Sequence, residues 1–285
     1  MFTLDCDRAY LYAHPERELT DTDMLRYDDA LARRASGVPA QYITGHQEFW
    51  GLDLIVTPAV LIPRPETEHV VEAVLELASA AGLKKSLEHC PGQSQESRAG
   101  APAPDGRTLH GHSPNHLRVV DVGTGSGAIA LVLALALPTA EIHATDISAD
   151  ALEVARANAA RHQLASRLTF QRGDLLDGFS PASFDFVVSN PPYVGESEEE
   201  SVQLEVRKFE PRSAVFAGAT GREIIQRLIP AAGEILRPGG WLVLEISGTI
   251  AEGVLGLLAG WDDVAIRNDL QGIARVAMAR KRHLS

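Results

Sequence analysis

The chain has 285 residues, 45% hydrophobic and 22% charged, the ordinary balance of a soluble globular protein with room for one large α/β unit and a small accessory piece. Its formal net charge of -12 opposes broad contact with phosphate backbones, so no direct nucleic-acid partner is expected. Cys6 and Cys90 provide neither a disulfide framework nor a paired-thiolate metal site. With no secretory leader, and no apolar run beyond Ala128 to Leu137, about half the length of a membrane crossing, the expectation is a cytoplasmic monomer away from the membrane.

Residues 1–38 read as a partial helical piece, too small to fold alone. Thr20, followed by Asp21 and Asp23, is placed to cap a helix in which Leu25, Leu31 and Ala32 recur at roughly helical spacing. Over 39–62 the β-prone runs QYITG, EFWGLDLIV and AVLIP, divided at Gly45, Gly51 and Pro58, predict a β-hairpin connector. Pro63, Arg64 and Pro65 then introduce a helix from about Glu66 to Leu83, which opens a larger domain over 63–285.

Lys84 to His116 has no aromatic residue, few aliphatic ones and clusters of Gly, Pro, Ser and Gln, and it reads as a disordered insertion. Its His89, Cys90, His110, His112 and His116 fit no standard metal-site spacing, so no metal is expected. From Leu117 strands and helices alternate, as in a parallel sheet covered on both faces. Strands are predicted at Arg118 to Asp121, Glu141 to Asp146, Leu168 to Gln171, Phe184 to Ser189 and Trp241 to Ile246. Helices fall between them at Ala128 to Leu137, Ala149 to His162 and Arg222 to Leu236, with Pro138 and Pro238-Gly239-Gly240 as stops. Val264 to Arg267 and Arg275 to Ala279 follow so closely that they predict an antiparallel edge.

In VVDVGTGSGAIAL, Gly123, Gly125 and Gly127 sit between a buried strand and an apolar helix, where glycine permits tight turning and close approach of a ligand to the helix N-terminus. The same letters satisfy a dinucleotide fingerprint, so a nicotinamide or flavin oxidoreductase is one alternative. Asp121 favours another cofactor. A carboxylate there opposes a pyrophosphate but can pair, directly or through water, with the cationic amino-acid end of S-adenosylmethionine. Asp146, ending the next strand, is placed to accept hydrogen bonds from ribose hydroxyls, since Ser148 is available to cap the following helix; Asp174 is a weaker candidate for an adenine amino group.

Ser189-Asn190-Pro191-Pro192-Tyr193 follows an apolar strand at the edge that faces the crevice of a doubly wound sheet. The lone pair of an amide or exocyclic amino nitrogen is delocalised. Acceptance of both its N–H bonds, by the Asn190 side-chain oxygen and the Pro191 carbonyl, would hold that lone pair toward a methyl donor and stabilise the charge that develops. Pro191 and Pro192 stiffen the loop and remove competing donors, and Tyr193 supplies an aromatic wall.

With the further runs PAQYITGHQEFWGLDL, VLIPRPETE, FEPRSAVFAG and PGGWLVLEI, the chain resembles the HemK/PrmC family, the release factor glutamine methyltransferases, from about Asp7 to its end apart from 84–116. The resemblance implies a class I S-adenosylmethionine-dependent methyltransferase fold, Rossmann-like and doubly wound with an antiparallel edge strand. It implies that Asp121, Val122, Gly123, Thr124, Gly125, Asp146, Asp174, Leu175 and Asn190 line the cofactor pocket. It further implies that Asn190, Pro191, Pro192 and Tyr193 bind the Gly-Gly-Gln glutamine of release factors 1 and 2, the protein substrates, and that PRPETE helps close the pocket. Three departures are expected to matter: the chain enters the family's N-terminal helical bundle partway, Leu175 replaces a frequent aromatic, and 84–116 is unusual. An N6-adenine DNA or RNA methyltransferase would share the Asn-Pro-Pro-Tyr chemistry, but acidic GESEEE follows that loop directly and would repel a nucleic-acid strand.

Overall fold

Where the sequence alternates between apolar strands and helix-spaced runs, the computed structural model, which describes residues 2–80 and 116–283, forms a seven-stranded sheet. Helices α1 (Arg8–Ala13), α2 (Asp21–Ala35) and α3 (Ala40–Thr44) come first, then a hairpin of β1 (His46–Phe49) and β2 (Leu52–Ile55), and then α4 (Glu68–Ala80). The chain continues through β3 (Arg118–Val122), α5 (Ala128–Ala136), β4 (Glu141–Asp146), α6 (Ala149–Arg161), β5 (Leu168–Arg172) and β6 (Phe184–Ser189). Short strands β7 (Val194–Gly195) and β8 (Phe216–Gly218) enclose α7 (Leu204–Phe209) and α8 (Arg212–Val215) in sequence. The order ends with α9 (Glu223–Ile235), β9 (Leu236–Glu245), α10 (Ala251–Leu257), β10 (Asp262–Asn268) and β11 (Ala274–Arg280). Of the expected insertion at 84–116, all but His116 lies outside the described residues, as do Ala81 to Leu83 of the expected helix.

The large sheet has the order β10-β11-β9-β6-β3-β4-β5, with β3, β4, β5, β6 and β9 parallel and the β11 and β10 pairings antiparallel. This is the doubly wound sheet with an antiparallel edge that the spacing predicts. The α5 run, AIALVLALA, is apolar on every side and is buried on every side except at Leu135. Together with α4 it packs on one face of the sheet, while α9 and α10 cover the other. Strand order reverses between β3 and β6, and the crevice of such a sheet opens outside the carboxyl ends there.

The connector departs from its β-prone text. QYITG forms α3, not a strand: Gly45 ends it in the left-handed region (φ 78°), and Tyr42 and Ile43 turn inward, with the Tyr42 hydroxyl donating to the Val60 carbonyl at 2.6 Å. Burial of one helical face outweighs strand propensity here. AVLIP is not a strand either, because side chains satisfy its backbone: Val60 O accepts from Tyr42 and the Ile62 N–H donates to Glu210. Pro238-Gly239-Gly240 is a second correction. It does not stop α9 ahead of a strand but bulges within β9, whose Leu236 and Trp241 lie opposite Phe184 and Phe186; Gly239 donates to the Lys281 carbonyl at 2.9 Å. The Thr20 cap forms as a reciprocal box with Asp23, yet Leu25 and Leu31 stay exposed.

One buried side chain joins the hairpin to the sheet domain. Asn158 on α6 accepts from the Ile55 N–H at 2.7 Å and donates to the carbonyls of Ile55 and Ser126, each at 2.9 Å. Asn158→Ala abandons three buried partners and should lower stability by about 3 kcal/mol. Urea denaturation checks this, and a loss under about 1 kcal/mol would mean that apolar contacts alone seat the hairpin.

Candidate active site

The turn between β3 and α5 is stitched to the end of β4. Gly123 and Thr124 N–H both donate to the Thr145 carbonyl, at 2.8 and 3.0 Å, and Gly125 N–H donates to Asp146 Oδ2 at 2.9 Å. Gly127 opens α5 at φ 84°, where an added Cβ would stand 3.3 Å from both Ala155 Cβ and Leu131 Cδ1. Only glycine meets both demands. Beneath the loop, Asp121 is wholly buried and accepts from Thr124 Oγ1 at 2.6 Å and from Ala130 N–H at 3.3 Å. Its Oδ1 is buried without a partner. Burial pushes its carboxyl up to about 7, the two hydrogen bonds opposing and nearby Asp146 adding to the shift.

Above the loop lies a cavity of about 350 Å³ at the strand-order reversal, within the size range of small-molecule sites. Of the residues expected in it, Val122, Gly123, Thr124, Gly125, Asp146, Asp174, Leu175, Asn190 and Pro192 line the wall, and Asp121, Pro191 and Tyr193 do not. Asp146 Oδ1 accepts from Ser148 N–H at 2.9 Å, while Ser148 Oγ caps α6 through Ala151 N–H, so the capping role falls to Ser148 as the sequence suggests. Each Asp146 oxygen keeps a lone pair for a ligand hydroxyl. Asp174 is held by Arg227, a second wall residue, at 2.6 Å. Leu175 adopts φ 54°, an uncommon left-handed backbone for a side chain of this size.

At the end of β6, Ser189 Oγ donates to the Val122 carbonyl at 2.7 Å and aligns the two strand ends. Asn190 Nδ2 donates to Thr67 Oγ1 at 3.1 Å, which leaves Asn190 Oδ1 as the free acceptor. The Tyr193 hydroxyl donates to Glu245 Oε1 at 3.1 Å. Burial, with Glu245 beside it, drives the Tyr193 phenol well above its usual value. Glu245, 1% exposed at the end of β9, is pushed up to about 7 by burial. The Thr67 and Tyr193 hydroxyls and Arg275 favour its charged form, and Glu66 opposes it.

No individual role follows from the sequence for Thr67, Glu210, Arg227 or Glu245, although Thr67 sits in the PRPETE run expected to close the pocket and Glu210 in the FEPR run of the family resemblance. A signal existed for Glu245: like Asp146, it is a carboxylate that closes an apolar strand at the crevice edge. Glu210 explains the FEPR run. Buried to 6% exposure, it accepts from Arg64 Nη2 at 2.5 Å and from Ile62 N–H at 3.3 Å, so it latches the PRPETE segment over the site. Among the described residues no group of side chains is arranged to hold a metal ion, and no helix is long and apolar enough to cross a membrane.

Two family models match the chain: PrmC N-terminal domain over residues 1–45 and Methyltransferase small domain over residues 107–208. The chain is 48% identical over 284 residues to a release factor glutamine methyltransferase of Koribacter versatilis, covering 99% of this chain and 88% of that protein. It is 37% identical to one of Geobacter sulfurreducens, covering 97% of this chain and 85% of that one. Its fold is similar to a methyltransferase from Pyrococcus furiosus (TM-score 0.52, 18% identity, 90% of this chain and 99% of that chain). It is also similar to the hMettl16 catalytic domain (TM-score 0.54, 16% identity, 93% and 82%).

Sheet order, glycine turn and crevice define a class I S-adenosylmethionine-dependent methyltransferase. Within that class, identity over nearly the full chain is decisive. The protein belongs to the release factor glutamine methyltransferase family.

Two measurements bear on the carboxylates. Asp146→Ala should weaken S-adenosylmethionine binding by about 1.5 to 3 kcal/mol, read by calorimetry, and unchanged affinity in a folded variant would remove Asp146 from the site. For Asp121 the native value near 7 exceeds the ordinary 3.8. The native state therefore holds the proton more tightly, a contribution complete at low pH and lost as pH rises through 7. In thermal melts without ligand, the parent should lose stability relative to Asp121→Asn between pH 5 and pH 8, and a difference independent of pH would refute the shift.

Proposed function

We propose that the protein transfers the methyl group of S-adenosylmethionine to the side-chain amide nitrogen of the glutamine in the Gly-Gly-Gln motif of bacterial class I release factors, with release factors 1 and 2 as its substrates. The observation that carries this reading is the posture of Asn190. Its amide nitrogen is committed to Thr67, so its oxygen is the group left to accept a substrate N–H at the edge of the cavity. Full-length similarity to release factor glutamine methyltransferases supports the substrate class.

S-adenosylmethionine, when bound, supplies a methyl group activated by a sulfonium charge. The site's own residues must hold that ligand and present the nitrogen. The cavity has the features such a ligand needs: a carboxylate with two outward lone pairs at Asp146, glycine backbone at Gly123 and Gly125, and an apolar side chain at Leu175. Asp146 takes the ribose hydroxyls, and Asp174 and Leu175 border the adenine, with Arg227 sharing the Asp174 carboxylate. Asp121, buried beneath the loop with Oδ1 unpartnered, pairs with the amino-acid end directly or through water.

Asn190 Oδ1 and the Pro191 carbonyl accept the two N–H bonds of the glutamine amide. Both gain strength as positive charge develops on that nitrogen, so they favour the transition state over the ground state. Pro191 and Pro192 offer no N–H to compete, and Tyr193, bound through its hydroxyl to Glu245, anchors the loop. Residues 1–38 form the piece that docks the release factor, 39–62 the connector, and 63–285 the catalytic domain of a cytoplasmic monomer. The acidic turn Glu196–Ser201, directly after the loop, opposes a nucleic-acid substrate.

Asn190→Ala should largely spare cofactor affinity while raising the methyl-transfer barrier by about 2.7 to 4 kcal/mol. Labelled S-adenosylmethionine incubated with a release factor checks this. A release factor whose Gly-Gly-Gln glutamine is replaced should take no label. Label at another residue, or in DNA, would overturn the substrate assignment.

A further inference from the structure

Glu245 is buried, charged when ionised, and used by none of the steps above. We infer that Glu245 is a positioning residue whose carboxylate sets the direction of a hydrogen-bond relay through Thr67 and Tyr193, and so decides which end of the Asn190 amide faces the substrate. The inference rests on Asn190 being the amide acceptor.

A threonine hydroxyl has one proton to give, and a carboxylate can only accept. Tyr193 spends its proton on Glu245 Oε1. Thr67, 4% exposed and hydrogen-bonded to Asn190, neighbours the same carboxyl, whose Oε2 is buried and has no hydrogen-bond partner of ordinary geometry, so it is the acceptor left for the Thr67 proton. If the Thr67 proton goes to Glu245, Thr67 can only accept from Asn190, as the 3.1 Å Nδ2 contact shows it doing. Asn190 Nδ2 is then tied down and Oδ1 must face the cavity. Without the carboxylate, Thr67 could donate to Asn190 Oδ1 instead, turning the amide over and presenting N–H groups to an N–H substrate. The ends of β6 and β9 and the Pro65–Thr67 turn meet in this relay, which a purely space-filling role for Glu245 would not require.

The test uses single-turnover methyl transfer to a release factor at pH 8, where Glu245, facing Thr67, Glu66, Tyr193 and Arg275, is ionised. Glu245→Gln can donate to Thr67 and reverse the relay. It should lower the transfer rate about tenfold or more while the S-adenosylmethionine Kd stays within about twofold. Thr67→Val should do the same, and Thr67→Ser should restore most of the rate. The sharpest arm is Asn190→Asp, which needs Thr67 as a donor: it should be severely impaired alone and partly rescued by Glu245→Gln. Full activity in folded Glu245→Gln, or further loss instead of rescue in the double variant, would overturn the relay. Should Glu245→Gln fold poorly, the Thr67 pair decides by the same criteria. Should the parent label no release factor, the proposed function fails separately. The Asn190 side-chain amide resonances, which need no substrate, must then still shift in Glu245→Gln, and unchanged resonances would sink the relay.

Discussion

The reversal of strand order between β3 and β6 is the constraint on which the site depends. Parallel strands end on one edge, and at the reversal their connections leave in opposite directions, so a crevice opens between them. The polar residues of the site hang from these ends: Asp121 and the glycine turn from β3, Asp146 from β4, Asn190 from β6 and Glu245 from β9. Since β3 and β6 are in fixed register, with Val122 opposite Ser189, cofactor loop and acceptor loop cannot shift independently.

The roof of the site is fastened by polar contacts. Residues 59–67 have no strand partner, and three buried groups from elsewhere hold them or the hairpin before them: Asn158 at Ile55, Tyr42 at Val60, and Glu210 at Ile62 and Arg64. An ion pair such as Arg64 with the buried Glu210 adds little net stability after desolvation, but removal of Arg64 would leave a buried carboxylate uncompensated. Such a latch defines one position well, as required of a segment that brings Thr67 to Asn190.

Two buried carboxyls flank the crevice, Asp121 under the glycine turn and Glu245 behind Tyr193, both held near 7 by loss of solvent. Neither is matched by a close cationic partner: Asp121 Oδ2 accepts from a hydroxyl and an N–H, Glu245 Oε1 accepts from the Tyr193 hydroxyl with Arg275 nearby, and the second oxygen of each is buried without a partner. Ionised, they give the crevice a negative bias suited to a cationic ligand and to positive charge developing on a substrate nitrogen. A nucleotide with a pyrophosphate would meet the opposite field.

Much of this was legible in the residues. The strands at Glu141–Asp146 and Phe184–Ser189 agree with their predicted bounds: the second reads as an apolar run that Asn190 follows, and the first stands between the stop at Pro138 and a closing carboxylate with a capping serine two residues on. Nearest-neighbour chemistry also marked Gly123, Gly125, Asp146 and Asn190 as site residues. Tertiary structure decided what local text could not. QYITG became a helix because burying Tyr42 and Ile43 outweighs strand propensity, and Pro238-Gly239-Gly240 became a bulge because the β9 register with β6 continues on both sides of it. Thr67 and Glu245 stand 178 residues apart, and Glu210 lies 146 beyond Arg64, separations at which no periodicity or motif spacing carries information. Sequence by itself determined which strand ends carry acids and amides, since that is local covalent order. Only folding decided which of those groups share protons, since hydrogen bonding acts over about 3 Å of space, whatever the distance along the chain.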